Sequence, residues 1–205
     1  MNQESRVRPS LQDERRELVR RRLEEGAIDV FAERGYASAS IDQVAKAAGL
    51  SRATFYLHFA NKAELAIGLW GDLRVQLVAL YDELGAATAI DEAVLEKWLD
   101  ASFDFYADNK TALLAVHEAI ALEAEVAEMY RRRMGEVTSK VGPLIMRALG
   151  VSKENAELRA ALITMQHERF SHFWLLRGMP FDRTMAREVL AQLWAQQMGF
   201  GPTET

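Results

Sequence analysis

Arg52, Ala53, Thr54, Tyr56 and His58 fall within seven consecutive residues, and their types suit contact with a nucleic acid. An arginine near a helix amino terminus can grip a guanine edge through two hydrogen bonds, a discrimination worth about 1 to 3 kcal/mol. Ala53 is small enough to admit the helix and to touch a thymine methyl, while Thr54, Tyr56 and His58 offer donors at phosphate height. Arg52 and Lys62 each follow a helix cap, where the helix dipole disfavours a cation. Fold stability alone would not choose them there, whereas an approaching phosphate would justify both. Either one alone reads as a solvated surface cation; with Tyr56 and His58 on the same short helix, the reading turns to an anionic partner.

These side chains need a frame, and residues 40–62, SIDQVAKAAGLSRATFYLHFANK, supply it. Ser40 with Gln43 makes a capping box, Val44, Ala45 and Ala48 give the first helix an apolar side, and Gly49 ends it. Leu50 plugs the turn and Ser51 caps the next helix, on which Phe55 and Phe59 stand four apart on one buried face. The pattern is helix-turn-helix. Ahead of it, residues 1–9 read as a tail; Ser10 with Asp13 opens a helix to about residue 34, with Val19, Leu23, Ala27, Val30 and Phe31 as its stripe. Behind it, Asn61 caps a long helix with Leu65, Leu69, Leu73, Leu77, Leu80 and Leu84 as its spine. Gly68 and Gly71 inside that helix each cost up to about 1 kcal/mol relative to alanine, so close packing or a bend is expected at them, close packing being the commoner reason.

The chain divides into a small amino-terminal reader, residues 1–60, and a larger body, residues 61–205, whose first helix runs to GAATAID, residues 85–91, a candidate boundary segment by composition. The body stays helical. Gly142 and Pro143 predict a kink or break, because proline lacks the amide that the preceding turn needs. A helix from Ser152 to about Arg177 presents Leu158, Leu162, Met165, Phe173 and Leu176 as its apolar side, and one over 181–198 presents Phe181, Met185, Val189, Leu193 and Trp194. Nothing alternates at period two, so the fold class is all-α, an amino-terminal three-helix unit with the helix-turn-helix followed by a larger helical body.

The 205 residues, 49% hydrophobic, can bury a real core. The net charge of −5 argues against nucleic acid, but residues 1–62 carry 11 Lys or Arg against 9 Asp or Glu while the remainder carry 14 against 21. An acidic body would turn the mildly basic end toward a polyanion. Zero cysteines exclude a disulfide framework, the amino terminus lacks the apolar run of a signal peptide, and no membrane span is visible, so the expected place is the cytoplasm.

In the body, Trp98, Phe103, Tyr106, His117, Tyr130, Met134 and Met165 are the candidates for lining an effector pocket, since aromatic and methionine side chains make adaptable apolar walls. Each also fits ordinary core, the commoner role at helical spacing. No catalytic, metal or cofactor site is expected: His167 and His172, five apart, do not share a helical face, and no phosphate loop, dinucleotide fingerprint or nucleophile motif is present. The run Arg131 to Arg133 could meet an anion, yet such runs usually form a solvated face. The last two helices suit a four-helix interface between two copies, and two copies reading half-sites about 34 to 36 Å apart solve the problem that one short helix touches few base pairs.

GY at 35–36, the capped SIDQVAKAAGLS and RATFYLHFANKAEL together resemble the reader of the TetR family of transcriptional repressors over residues 18–70. The resemblance implies an all-α homodimer that holds a palindromic operator in double-stranded DNA and is released by a small effector bound in a divergent body. Carried over by position, Arg52 and Ala53 would face bases, while Ser40, Thr54, Tyr56, His58 and Lys62 would hold the backbone. The implied mechanism is two-state, with the helix after Asn61 acting as a lever. Two other readings share the same residues: an activator or nucleoid-associated protein with this reader, and a helical ligand carrier whose reader no longer binds DNA.

Overall fold

A computed structural model describes residues 10–87 and 90–200, and all side chains among them but that of Met134. The tail at 1–9 and the Thr88–Ala89 part of the boundary segment lie outside the described residues. Among the described residues nine α-helices make the fold: α1 (Leu11–Ser38), α2 (Ile41–Ala47), α3 (Arg52–His58), α4 (Lys62–Ala86), α5 (Glu92–Asp108), α6 (Lys110–Leu122), α7 (Ala124–Leu149), α8 (Lys153–Ser171) and α9 (Arg183–Met198), with one π-helical turn at His172–Leu176. No strand occurs among the described residues.

Local sequence sets most of these limits. Ser10 and Ser40 form capping boxes with Asp13 and Gln43, and Ser51, Asn61, Asp91, Ser152 and Asp182 each accept a backbone N–H at their helix starts. The first stretch of α1 closes near residue 34 as expected: Gly35, at φ 75° and ψ 164°, leaves the helical region in a conformation only glycine adopts without strain, and a short turn beyond the kink carries α1 to Ser38. Pro143 does not break α7. Its missing amide removes one hydrogen bond, while Val137, Val141, Leu144 and Ile145 bury the inward face on both sides of it.

The two glycines of α4 part company. A Cβ on Gly68 would collide with the Arg20 and Glu24 side chains and meet the Phe59 ring at 3.1 Å, so close packing does explain this glycine. Around Gly71 nothing lies within 4 Å, and the expectation of close packing fails there.

Two apolar cores result. One joins Leu23, Ala27, Val30, Phe31 and Tyr36 of α1 to Val44, Ala45, Phe55 and Phe59, and is closed from outside the reader by Leu65 and Leu69 of α4, Ala115 and Ala119 of α6 and Val126 of α7. The other lies within α4 to α9 around Trp98, Phe103 and Trp194. The reader therefore shares its core with the body, and α4 and α6 belong to both.

The apolar stripes assigned to α8 and α9 need correction. Leu158, Leu162, Met165, Phe173, Phe181, Met185, Val189 and Leu193 are all exposed, while Ala156, Ala160, Ile163 and His167 of α8 and Ala186, Leu190, Ala191 and Trp194 of α9 face inward. Small residues let the neighbouring helices approach, and this leaves the large side chains on an outer face that no described residue covers. Among the described residues no helix is long and apolar enough to cross a membrane.

Candidate nucleic-acid interface and body cavity

The reading helix α3 is anchored by two rings and a cap. Phe55 and Phe59 are fully buried 5.7 Å apart, and the Thr54 amide donates to Ser51 Oγ at 3.0 Å. Seven residues cannot hold a helix unaided, so this burial fixes which side faces outward. Arg52, Ala53, Tyr56 and Leu57 lie on that outer side, Leu57 74% exposed, and Thr54 and His58 are half-buried at its edges. Leu57 is an exposed apolar side chain in the middle of the face, which its sequence gave no reason to single out.

Arg52 is not loose. Its guanidinium donates to Asp42 Oδ2 of α2 at 2.9 Å and to the Tyr56 hydroxyl at 3.3 Å, so the candidate base reader is held extended between the two short helices by an exposed pair that water and a phosphate can compete for. His58 faces Arg16 and Arg20 of α1; burial and those two cations hold its imidazole below the usual range, so at neutral pH it is a neutral ring. Ser40 spends its hydroxyl on the Gln43 amide at the exposed start of α2.

Lys62 is the exception among the candidates. Its ammonium donates to the Tyr36, Ala37 and Ala39 carbonyls at 2.7, 3.3 and 3.0 Å and lies 4.3 Å from the Tyr36 ring centroid. All three donors are committed to the frayed end of α1, where the dipole favours a cation. The premise that fold stability would not place a cation at this position is overturned.

In the body, Tyr106, His117 and Tyr130 come together around one interior cavity, enclosed by Trp70, Leu77 and Tyr81 of α4, Phe105 of α5, Leu113, Val116 and Ile120 of α6, Arg133 and Val137 of α7 and Thr164 and Glu168 of α8. About 20 Å³ of it is open to water, room for one molecule. Trp98 and Phe103 do not line it. Trp98 donates its indole N–H to the Leu80 carbonyl at 2.7 Å and stacks among Tyr81, His167 and Trp194, while Phe103 packs on Trp174 and His167; both are core. Met165 is half out in water, on an outer groove of about 540 Å³ that shares His117, Ile120, Tyr130 and Glu168 with the cavity. The side chain of Met134 lies outside the described ones.

A polar network separates cavity from groove. Glu168 accepts from His117 Nε2 at 3.2 Å and from the Tyr130 hydroxyl through a short bond, and His117 Nδ1 meets His172 Nδ1 at 2.7 Å. Burial pushes the Glu168 carboxyl up, but those hydrogen bonds and the charges of His117 and Arg133 outweigh it and leave it ionised below the usual range. The π-helical turn at His172 is what swings its ring onto His117. From sequence, Glu168 gave no signal. Arg133 did. It stands three residues after Tyr130 and four before Val137 on the inward face of α7, so of the arginine run only Arg131 and Arg132 are solvated, both on Glu128, and Arg133 is buried.

One residue after His117, Glu118 faces the other way. Its carboxylate accepts the Tyr36 backbone N–H at 2.7 Å, just beyond the bend at Gly35, and the Tyr36 hydroxyl reaches Glu123 at 3.0 Å. Adjacent residues of α6 thus touch the cavity and the end of the reader's first helix. No cluster of metal-ligating side chains exists among the described residues.

Comparison with known proteins agrees with this geometry. The family described as bacterial regulatory proteins, tetR family, matches residues 24–69, the stretch from mid-α1 to early α4. A transcriptional activator, FasR of Mycolicibacterium smegmatis, is 28% identical over 167 residues, covering 81% of this chain and 76% of that protein. Two solved structures share the whole fold at identities that speak for the fold alone. The fatty acid degradation regulator FadR of Bacillus halodurans has a TM-score of 0.68 at 19% identity over 92% of this chain and 96% of that one. FadR of Bacillus subtilis, in complex with stearoyl-CoA, has 0.68 at 18% over 86% and 98%. With residues 24–69 matched by that family and the described residues folded as these regulators are, this chain carries the helix-turn-helix of the tetR family of bacterial regulatory proteins and is a DNA-binding transcriptional regulator.

Proposed function

We propose that this chain is a ligand-gated repressor, released from a palindromic operator by a small, largely apolar effector. The observation that carries the reading is the nearly closed cavity walled by α4 and α6. Because only one water fits, any larger guest must part these helices, and both of them also complete the reader's core. A guest therefore binds one arrangement of the reader better than another, which is the differential affinity that gating requires. Two levers leave the cavity: α4, continuous with the turn after α3, and α6, through Glu118 and Tyr36.

The exposed apolar face of α8 and α9 suits a homodimer, and a two-fold pair of reading helices suits a palindrome. In the complex Arg52 leaves Asp42 for a base edge and Ala53 follows it into the groove, with Ser40, Thr54, Tyr56, His58 and the amide end of α4 at Lys62 along the backbone. Fluorescence anisotropy on a palindromic duplex selected from genomic DNA tests this. Arg52→Ala should weaken binding by about 1 to 3 kcal/mol for each half-site and relax the preference at one base pair. Unchanged affinity and preference would show that α3 does not read bases. A second reading, activation through the same reader, is favoured by the activator named among the relatives; a promoter reporter with the gene deleted separates them, since loss of a repressor raises expression.

A further inference from the structure

Arg133 is 8% exposed, yet its guanidinium has no hydrogen bond or ion pair with any described residue. Its Cζ lies over the Trp70 ring, 3.2 Å from the centroid, and the buried indole N–H of Trp70 also has no acceptor. Both side chains line the interior cavity and also the floor of an outer groove of about 520 Å³. A buried cation without a partner is costly, and here an aromatic face compensates it only in part. Burial lowers the Arg133 pKa to about 10, so it stays charged at neutral pH.

The surrounding charges are already answered. Arg74 pairs with Glu136, Arg131 and Arg132 pair with Glu128, and the Glu168 carboxylate is taken by His117 and Tyr130. What remains without a hydrogen-bond partner is one guanidinium, its charge offset only through space by Glu168, with an adjacent N–H donor and, beyond them, a wall of Leu77, Phe105, Leu113, Val116 and Val137. These donors suit paired acceptor oxygens carrying one negative charge on an apolar body. A phosphate ester, with more charge, would find no second free cation in this wall.

We propose that Arg133 and Trp70 form a seat for a carboxylate, and that the ligand of this cavity is an apolar monocarboxylic acid. The guanidinium holds both carboxylate oxygens and the indole N–H a third lone pair, while the chain of the acid wedges between α4, α6 and α7. The inference rests on the effector reading above but is separable from it.

The test uses the full-length protein with decanoate and dodecanoate, the matching primary alcohols, and dodecanoyl-CoA, each below its micelle-forming concentration. Binding is read by calorimetry, and release from a labelled duplex is read at the same ligand concentrations. The acids should bind about ten- to a hundredfold more tightly than the alcohols. Arg133→Met, which keeps the stem over the ring, should erase that preference without weakening alcohol binding, and Trp70→Phe, which keeps the stack and removes the N–H, should reduce it in part. Circular dichroism confirms that each variant is folded; should Arg133→Met not fold, Trp70→Phe decides. Equal binding of acid and alcohol, tighter binding of the thioester than of the free acid, no binding of either acid, or an acid preference unchanged in the folded variants would each overturn the seat. If acids are preferred but do not release DNA, the seat stands and the gating falls; if alcohols release DNA as well as acids do, the reverse holds.

Discussion

Replacing Gly26 and Gly71 by alanine makes the same chemical change on two helices and should move stability in opposite directions. A methyl on Gly26 would sit 2.7 Å from the Ala48 backbone nitrogen and 3.1 Å from its Cα and Cβ, closer than real Cβ atoms come to backbone. Ala48 cannot retreat easily, because its carbonyl accepts Arg22 Nη2 at 2.8 Å and its amide closes the last turn of α2. Overpacking costs about 1 to 3 kcal/mol, and the better helix propensity of alanine returns up to about 1 kcal/mol, so Gly26→Ala should destabilise by about 1 to 2 kcal/mol. Gly71 has open space, so Gly71→Ala collects only the propensity gain, up to about 1 kcal/mol in the stabilising direction. Urea unfolding followed by circular dichroism at matched protomer concentration measures both. Because Gly26→Ala pushes α2 and α3 away from α1, operator affinity should fall with it, while Gly71→Ala leaves affinity unchanged. Equal stability of the two variants would refute the close approach of α1 and α2 on which the reader's geometry rests.

Two further outcomes follow from the body. His167 is buried against Trp98, Phe103 and Trp194, with only Ser102 bonded to its Nε2, and burial holds its pKa at about 4 against 6.5 when unfolded. Above about 6.5 both states are neutral and nothing changes. As pH falls from there toward 4 only the unfolded chain takes up the proton, so stability drops, by about 2 kcal/mol at pH 5, and His167→Gln should remove that part of the decline in urea titrations at pH 7 and 5. Glu118→Ala strips the Tyr36 amide of its acceptor, which should cost about 1 to 3 kcal/mol and speed hydrogen exchange at 35–38, the end of α1; unchanged exchange there would remove α6 from the path between cavity and reader.

The reader was legible because its information is local. Serine and asparagine caps, the Gly49 turn and the four-residue spacing of Phe55 and Phe59 are set by neighbours in sequence, and they fix which side of α3 is bare. Lys62 escaped the same reasoning, since its purpose lies 23 to 26 residues away at the end of α1. The body was legible only as helices. With apolar residues on both faces of α8 and α9, periodicity could not say that the small residues would turn inward and leave the large stripe outside. Trp98 and Tyr106 are alike in type and both deeply buried, yet only the crossing of five helices puts one in the core and the other at a cavity. Sequence alone determined the class of fold and the helix-turn-helix, because those depend on contacts within a few turns. Tertiary structure alone decided that Arg133 is buried without a partner, that Glu168 is bonded to residues 38 and 51 positions away, and that α6 grips both cavity and reader, because burial and long-range pairing are properties of the packed chain.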